Sequence, residues 1–172
     1  MVDPLSNQGR KEQSFIASVL YAEIAGYADL PVFEQIEYTT QMRQLLESTV
    51  ARSSRVDFLT VDREESVILL FPGDPMDCFA LAKQLTEVLT VEENYRDLPL
   101  HFGVNLGPVT VSKNELSVPQ VSGAGVEDAG RVARAGLLRE ILISRAFYTV
   151  FARISKEHGS LEYREFISDD LD

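Results

Sequence analysis

The chain has 172 residues, of which 45% are hydrophobic and 25% are charged, a size and a composition typical of one soluble globular domain. Its formal net charge of −11 argues against binding to nucleic acid, whose phosphates require a basic surface. Cys78 is the one cysteine, which excludes an intrachain disulfide and indicates a cytoplasmic protein. No apolar run approaches the roughly 20 residues that a membrane helix needs, so we expect no membrane contact from this chain.

Composition also predicts the limits of the folded domain. Residues 1–13 are polar and predict a disordered tail, while residues 167–172 predict a short acidic tail. We therefore expect one domain over residues 14–166.

The first predicted strand raises a question about its one acid. "FIASVLYAEI" is rich in β-branched and aromatic residues, as in a buried strand, and carries Glu23 near its end. An ionised carboxylate is costly to bury without a partner. Glu23 should therefore be paired, bound to a metal ion or exposed at the tip of the strand.

Helical and strand patterns alternate over the next segments. "VFEQIEYTTQMRQLLESTVARSS" predicts a helix with one apolar face, made by Phe33, Ile36, Met42, Leu45, Leu46 and Val50. "RVDFLTVDREESVILLF" predicts two strands around a polar turn at residues 62–66. "GDPMDCFALAKQLTEVL" predicts a helix with Asp74 as N-cap and Pro75 in its first position. Its inner stripe, and so part of the core, should be Cys78, Leu81, Ala82, Leu85 and Leu89.

The second half continues the alternation. "LPLHFGVNLGPVTV" predicts a strand pair around "NLGP", and "SKNELSVPQ" predicts a polar hairpin. A short helix over residues 126–135, a buried strand at "EILIS", a helix capped by Ser144 and an edge strand at "LEYREF" follow. This order predicts an α+β fold with a ferredoxin-like βαββαβ core, in which a mixed, mainly antiparallel sheet carries helices on one face.

Five motifs point to one protein family. In chain order they are "VLYAEIAGY", "REESVILLF", "LPLHFGVNLGPV", "SGAGVEDAGRVARA" and "EILIS". Together they resemble the catalytic domain of class III adenylyl and guanylyl cyclases over residues 14–150. The matching positions include Gly103, Gly107, Gly123, Val126, Ala129 and Arg131.

The resemblance implies a metal site. It places Glu23 and Glu65 at the two metal-binding acids, which in this family hold two divalent ions, Mg²⁺ or Mn²⁺, against a nucleoside triphosphate. Both positions carry glutamate where the family has aspartate, and the extra methylene moves each carboxylate by roughly 1.5 Å. Mg²⁺ requires a near-ideal octahedron, so this change hinders a close two-metal site, whereas Ca²⁺ or Mn²⁺ is more tolerant.

The positions that resemble the nucleotide-selecting pair are also changed. Val61 stands where the family has its base-recognising lysine, and Gln120 stands where it has the partner aspartate. Valine offers no hydrogen bond to a purine edge. Neither adenine nor guanine is therefore specified by the usual pair.

The resemblance implies a third change, at the transition-state residues. Arg131 matches the family arginine, but Glu127 replaces the asparagine. Glu127 and Arg131 are four residues apart on the predicted helix, so their side chains can form an ion pair. Such a pair stabilises a helix by about 0.3–0.5 kcal/mol. Negative charge beside a polyphosphate costs more, about 1–4 kcal/mol for like unit charges 4 Å apart near a surface. We therefore expect Arg131 to be a partner of Glu127 before it is a catalytic residue, with anion binding from a partner subunit as the other alternative.

Three functional hypotheses remain open at this point. The first is a degenerate cyclase-homology domain in signalling, which is catalytically impaired and acts as a dimerising regulatory or weak nucleotide- and metal-binding module. The second is an active divergent cyclase that converts a nucleoside triphosphate to its cyclic monophosphate and pyrophosphate, alone or as half of a heterodimer. The third is a plain interaction domain.

His101 and His158 belong to no predicted nucleophile or metal set, and we assign both to structure or solvent.

Overall fold

The computed structural model describes residues 12–53 and 57–155. It contains six strands, which are β1 (Gln13–Ile24), β2 (Leu59–Asp62), β3 (Ser66–Phe71), β4 (Leu100–Lys113), β5 (Pro119–Ser122) and β6 (Ile141–Ile143). Its four α-helices are α1 (Val32–Arg52), α2 (Pro75–Val91), α3 (Ala124–Ala135) and α4 (Arg145–Ile154). The order β1-α1-β2-β3-α2-β4 is the predicted βαββαβ core.

One sheet organises these elements. Its strand order is β2-β3-β1-β4-β5, and β6 pairs with β4 beside the part that β5 does not reach. All pairings are antiparallel except that of β6 with β4. The predicted α+β class with a mixed, mainly antiparallel sheet is therefore confirmed.

The two faces of the sheet carry different helices. The larger apolar cluster joins α1, α2 and α4 to one face, as the expectation of helices on one face requires. The remaining helix, α3, departs from that expectation, because it packs on the opposite face. It belongs there to a second apolar cluster that includes Val19, Ile68, Val109 and Ala129. This close packing is possible because β4 has glycine where it faces α3, and a side chain at that position would clash with the helix backbone. A Cβ built on Gly103 would lie 2.2 Å from the carbonyl oxygen of Ala129.

Local signals in α2 are confirmed in detail. The Asp74 side chain accepts a hydrogen bond of 2.9 Å from the backbone N–H of Met76, and Pro75 opens the helix. The predicted inner stripe is the buried face of the helix, consisting of Cys78, Leu81, Ala82, Leu85 and Leu89. Burial raises the pKa of the Cys78 thiol far above its usual range.

Two details of the predicted elements were wrong. Phe33 and Ile36 were assigned to the inner face of α1, but their exposed fractions are 66% and 64%. The helix α1 packs chiefly against α2 and not along a strand. Only the later turns of α1, which carry Met42, Leu45 and Leu46, are buried against the sheet and α2.

The segment "NLGP" does not form a turn, because β4 continues straight through it. Pro108 pairs with Ile16 of β1 and falls between the β4 residues that pair with β6 and those that pair with β5. A proline is tolerated there because no neighbouring strand needs its missing N–H.

The remaining boundaries agree with the sequence. The turn between β2 and β3, the polar hairpin between β4 and β5, and the Ser144 cap of α4 all form as predicted. Gln13, the last residue of the predicted tail, already belongs to β1. Residues 1–11 of that tail, the predicted strand "LEYREF" and the acidic tail lie outside the described residues. No helix in the part of the chain that the structure describes is long and apolar enough to cross a bilayer.

Candidate functional site

The end of β1 lies at the centre of the candidate site. Glu23 stands directly opposite Ser66 of β3 on one side and His101 of β4 on the other. Directly paired residues of antiparallel strands share a face of the sheet. The three side chains therefore form a row on the face that α3 covers.

The partner of Glu23 is an arginine from α3. The Glu23 side chain is 15% exposed, and its Oε2 accepts a hydrogen bond of 2.6 Å from Nη1 of Arg134. A charge-assisted bond of this kind offsets the cost of removing the carboxylate from water. The acid at the end of the first strand is thus paired by the chain itself.

Glu65 lies beside Glu23 at the level of the backbone. The N–H of Ile24, the residue after Glu23, donates to the carbonyl oxygen of Glu65 over 2.9 Å. The Glu65 side chain is partly buried, and it makes no hydrogen bond or ion pair with any described residue. The fold therefore brings the two predicted metal positions next to each other, but only Glu23 has a fixed partner.

The two positions predicted to select the nucleotide do not converge. Val61 is 6% exposed and packs in the apolar cluster between the sheet and α3, together with Val121 of β5. Gln120 precedes Val121 in the same strand, so the pleat directs it to the opposite face, where it is exposed. Val61 is a core residue in this structure.

Arg131 lies on the surface of α3, one turn before Arg134. Its guanidinium pairs with the carboxylate of Asp128, three residues earlier, rather than with Glu127 as predicted. Positions three apart are neighbours on a helix just as positions four apart are. Arg131 and Asp128 are both about half exposed, so this ion pair adds little stability.

Sequence reasoning missed Asn105, a residue that connects β4 to α3 and to the cap of α4. Asn105 of β4 is buried, and its Nδ2 donates over 3.0 Å to the carbonyl oxygen of Gly125 in α3. Its Oδ1 accepts a hydrogen bond of 2.6 Å from the Ser144 hydroxyl, which also caps α4. A lone amide within the apolar strand "FGVNLG" is a sequence signal for such a buried polar contact, because buried polar groups are hydrogen-bonded. No comparable signal marks Arg134, which lies 111 residues from Glu23.

Comparison with solved structures relates this architecture to known proteins. The guanylyl cyclase domain of the RhoGC fusion protein from the aquatic fungus Blastocladiella emersonii superposes with a TM-score of 0.67 at 13% identity, covering 84% of this chain and 88% of that one. The adenylyl cyclase CyaB from P. aeruginosa gives 0.65 at 16% identity and covers 84% of both chains. An adenylate cyclase from Trypanosoma brucei gives 0.67 at 11% identity, covering 83% and 77%.

This chain has the fold of a class III cyclase catalytic domain. No model of a known protein family matches the sequence, and no curated protein matches it either. The likeness therefore concerns the fold, which is the fold that the five motifs predicted.

The residues of this cyclase fold do not fit the two-metal site that the resemblance implies. Glu23 is already neutralised by Arg134, and a guanidinium at 2.6 Å repels a second cation. Among the described residues, no group of three or more His, Cys, Asp or Glu side chains is arranged to hold a metal ion. Mg²⁺ is usually held by one or two carboxylates together with water and the phosphates of the substrate, and of the two acids at these positions Glu23 is already bound to Arg134.

Proposed function

We propose that this chain is a catalytically impaired cyclase-fold domain of the cytoplasm, which acts in signalling as a dimerising regulatory module. The ion pair between Glu23 and Arg134 carries this proposal. Cyclisation of a nucleoside triphosphate needs cations that neutralise the polyphosphate and favour attack by the 3′-hydroxyl. A carboxylate that holds an arginine of its own chain is not free to bind such a cation.

Two further features support the loss of activity. Val61 is buried among apolar side chains and cannot reach a purine edge. Glu127 is exposed on α3, one turn from Arg131, and adds negative charge where a polyphosphate would need positive charge. We infer that nucleotide binding, where it occurs, is weak and unselective between adenine and guanine.

Purified protein should show no cyclase turnover above background with Mn²⁺ and either ATP or GTP. The reason is that Glu23 is held by Arg134 and that Val61 offers a purine no hydrogen bond. The measurement is the formation of cyclic nucleotide, with Glu23→Ala as the matched variant. Both proteins should give the same background.

The second candidate function is an active divergent cyclase, alone or as half of a heterodimer. It is favoured by Arg131, whose half-exposed guanidinium is held by one surface carboxylate and can be released at little cost. Turnover by the wild-type protein that Glu23→Ala abolishes would establish this candidate and contradict the impaired module. Turnover that appears only on mixing with another cyclase domain would support the heterodimer.

Dimerisation should be visible in solution. The tip of the β4–β5 hairpin exposes Leu116 and Val118, and apolar side chains at the end of a projecting hairpin favour contact with a second copy. One of the similar solved structures is of a non-canonical dimeric guanylyl cyclase domain. Light scattering at micromolar concentration should give twice the chain mass of 19.2 kDa.

Substitution at the hairpin tip tests that interface. Leu116→Asp should shift the protein to monomer, because it places a charge within the apolar contact. Val91→Asp is the matched control, since Val91 is also highly exposed but lies at the end of α2. A wild-type protein that is monomeric throughout, or a Leu116→Asp protein that stays dimeric, would refute this prediction.

A further inference from the structure

The first turns of α1 expose three large apolar side chains. Val32, Phe33 and Ile36 are 69%, 66% and 64% exposed, and none of them belongs to an apolar cluster of the core. Ile36 lies four residues after Val32 and three after Phe33, so the three are neighbours on the helix surface, and we call this surface the α1 patch. Val, Phe and Ile are poorer helix formers than Ala, Glu or Lys, so helix stability does not explain them at exposed positions. Contiguous exposed apolar residues are typical of an interaction site.

Carboxylates lie beside the α1 patch. Glu34 and Glu37 are on the same turns of α1, and Asp97 belongs to the segment between α2 and β4. All three lie near Tyr38, because its pKa is raised first by partial burial and then by their negative charges. None of the three forms an ion pair with a described residue, and Arg43, the first basic residue of α1, is already paired. The patch therefore has an uncompensated negative charge along one side.

The charges around the α1 patch determine which partner fits it. A second copy of the chain would bring the same carboxylates, and an anionic lipid surface would be repelled by a chain with a net charge of −11. A basic amphipathic helix satisfies both features, because its apolar face covers the patch while its Lys or Arg side chains approach the carboxylates. Such a helix presents apolar residues at the same spacing of three and four that the patch has.

Two polar side chains of α1 connect the helix that carries the patch to the candidate site. Nε2 of Gln35 donates to the carbonyl oxygens of Tyr27, over 3.0 Å, and Leu30, over 3.2 Å, in the connection from the end of β1 to α1. The Thr39 hydroxyl donates over 3.2 Å to the carbonyl oxygen of Glu64, in the turn between β2 and β3. A partner on the α1 patch thus contacts the helix that holds both segments.

We propose that the α1 patch is a docking surface for a basic amphipathic helix of a protein partner. The inference rests on the proposed function, in which the chain is a regulatory module, and it gives the chemistry of the partner that the module binds. The contact is apolar at its centre and pairs charges along one side, so its affinity should fall as the salt concentration rises.

Fluorescence anisotropy of a labelled helical peptide of roughly 18 residues, about five turns, tests the proposal on the full chain. The peptide carries leucine along one helical face and lysine on the others, and a second peptide of the same composition has its leucines spread around the helix. The wild-type protein should bind the first peptide at least about tenfold more tightly than the second. The double variant Phe33→Gln, Ile36→Gln should lose that preference, because it removes the apolar contact and keeps the charge.

Matched variants separate the patch from general surface properties. Val91→Gln should bind as wild type, because Val91 is also highly exposed but lies at the end of α2. Glu37→Gln should weaken binding about threefold and reduce its salt dependence. Glu140→Gln removes the same charge after α3 and should have no effect. Leu116→Asp, at the hairpin tip, should also bind as wild type, which keeps docking separate from dimerisation.

Three outcomes would overturn the inference. They are equal affinity of the wild-type protein for the two peptides, an unchanged preference in the folded double variant, and a double variant that is monomeric where the wild type is dimeric. The last result would make a second copy the occupant of the patch. Ile36→Gln alone serves the same test should the double variant unfold. Peptide binding requires no cyclase assay, so a failure of the proposed function leaves these affinities readable.

Discussion

Replacing Gly103 by alanine should lower the free energy of unfolding by about 3 kcal/mol or more. The added Cβ would lie 2.2 Å from the carbonyl oxygen of Ala129 and 2.5 Å from the backbone nitrogen of Ala133. Both atoms belong to the backbone of α3, so no rotation of a side chain relieves the clash, and the helix must move away from β4. Chemical denaturation followed by circular dichroism measures the loss.

Gly73→Ala is the matched control for this prediction. Gly73 lies before α2, and a Cβ built there meets no atom within 4 Å. Its stability should stay within about 0.5 kcal/mol of wild type, as for most surface substitutions. Equal stability of the Gly103→Ala and Gly73→Ala proteins would show that α3 does not lie against β4 as closely as the structure has it.

Asn105→Ala should cost about 2–3 kcal/mol of unfolding free energy. The substitution removes the hydrogen bond to the Gly125 carbonyl and leaves the Ser144 hydroxyl without its acceptor. Buried groups that lose a partner carry the full cost of their desolvation. Because the three residues belong to β4, α3 and the cap of α4, thermal unfolding should also become less cooperative.

Gln41→Ala provides the comparison for Asn105→Ala. Gln41 is an amide on the surface of α1, and its side chain donates a hydrogen bond to the Glu37 carboxylate. Its removal should change stability by less than about 0.5 kcal/mol. If the Asn105 and Gln41 variants lose the same small amount of stability, the buried amide does not join the three elements.

These two predictions bear on the candidate site, because both act on the seating of α3. The glycines of β4 set the distance of the helix from the sheet, and Asn105 ties its first turn to the same strand. Arg134, near the other end of α3, can then meet Glu23 at 2.6 Å. The ion pair that argues against metal binding thus depends on packing contacts distributed along the whole helix.

Sequence reasoning succeeded for features that depend on neighbouring residues and failed for features that depend on packing between elements. In α2 the cap at Asp74, the proline and the buried stripe were all predicted, since each depends on residues within a few positions. Phe33 and Ile36 of α1 were misassigned because periodicity cannot tell which turns of a helix its neighbours cover. The turn at "NLGP" was misassigned because Gly and Pro also occur within a continuous strand. In β4 they lie between the residues that pair with β6 and those that pair with β5.

The sequence by itself determined the order of the elements and the α+β class, because these follow from periodic apolar patterns, caps and turn residues that act over short distances. The likeness to the cyclase fold came from the resemblance of its five motifs to a known family. Only the tertiary structure decided what the acids and the arginines do. Glu23 and Arg134 are 111 residues apart, and their contact depends on how closely α3 packs on β1 and β4. No local preference encodes that distance, since it arises from steric fit between separate elements.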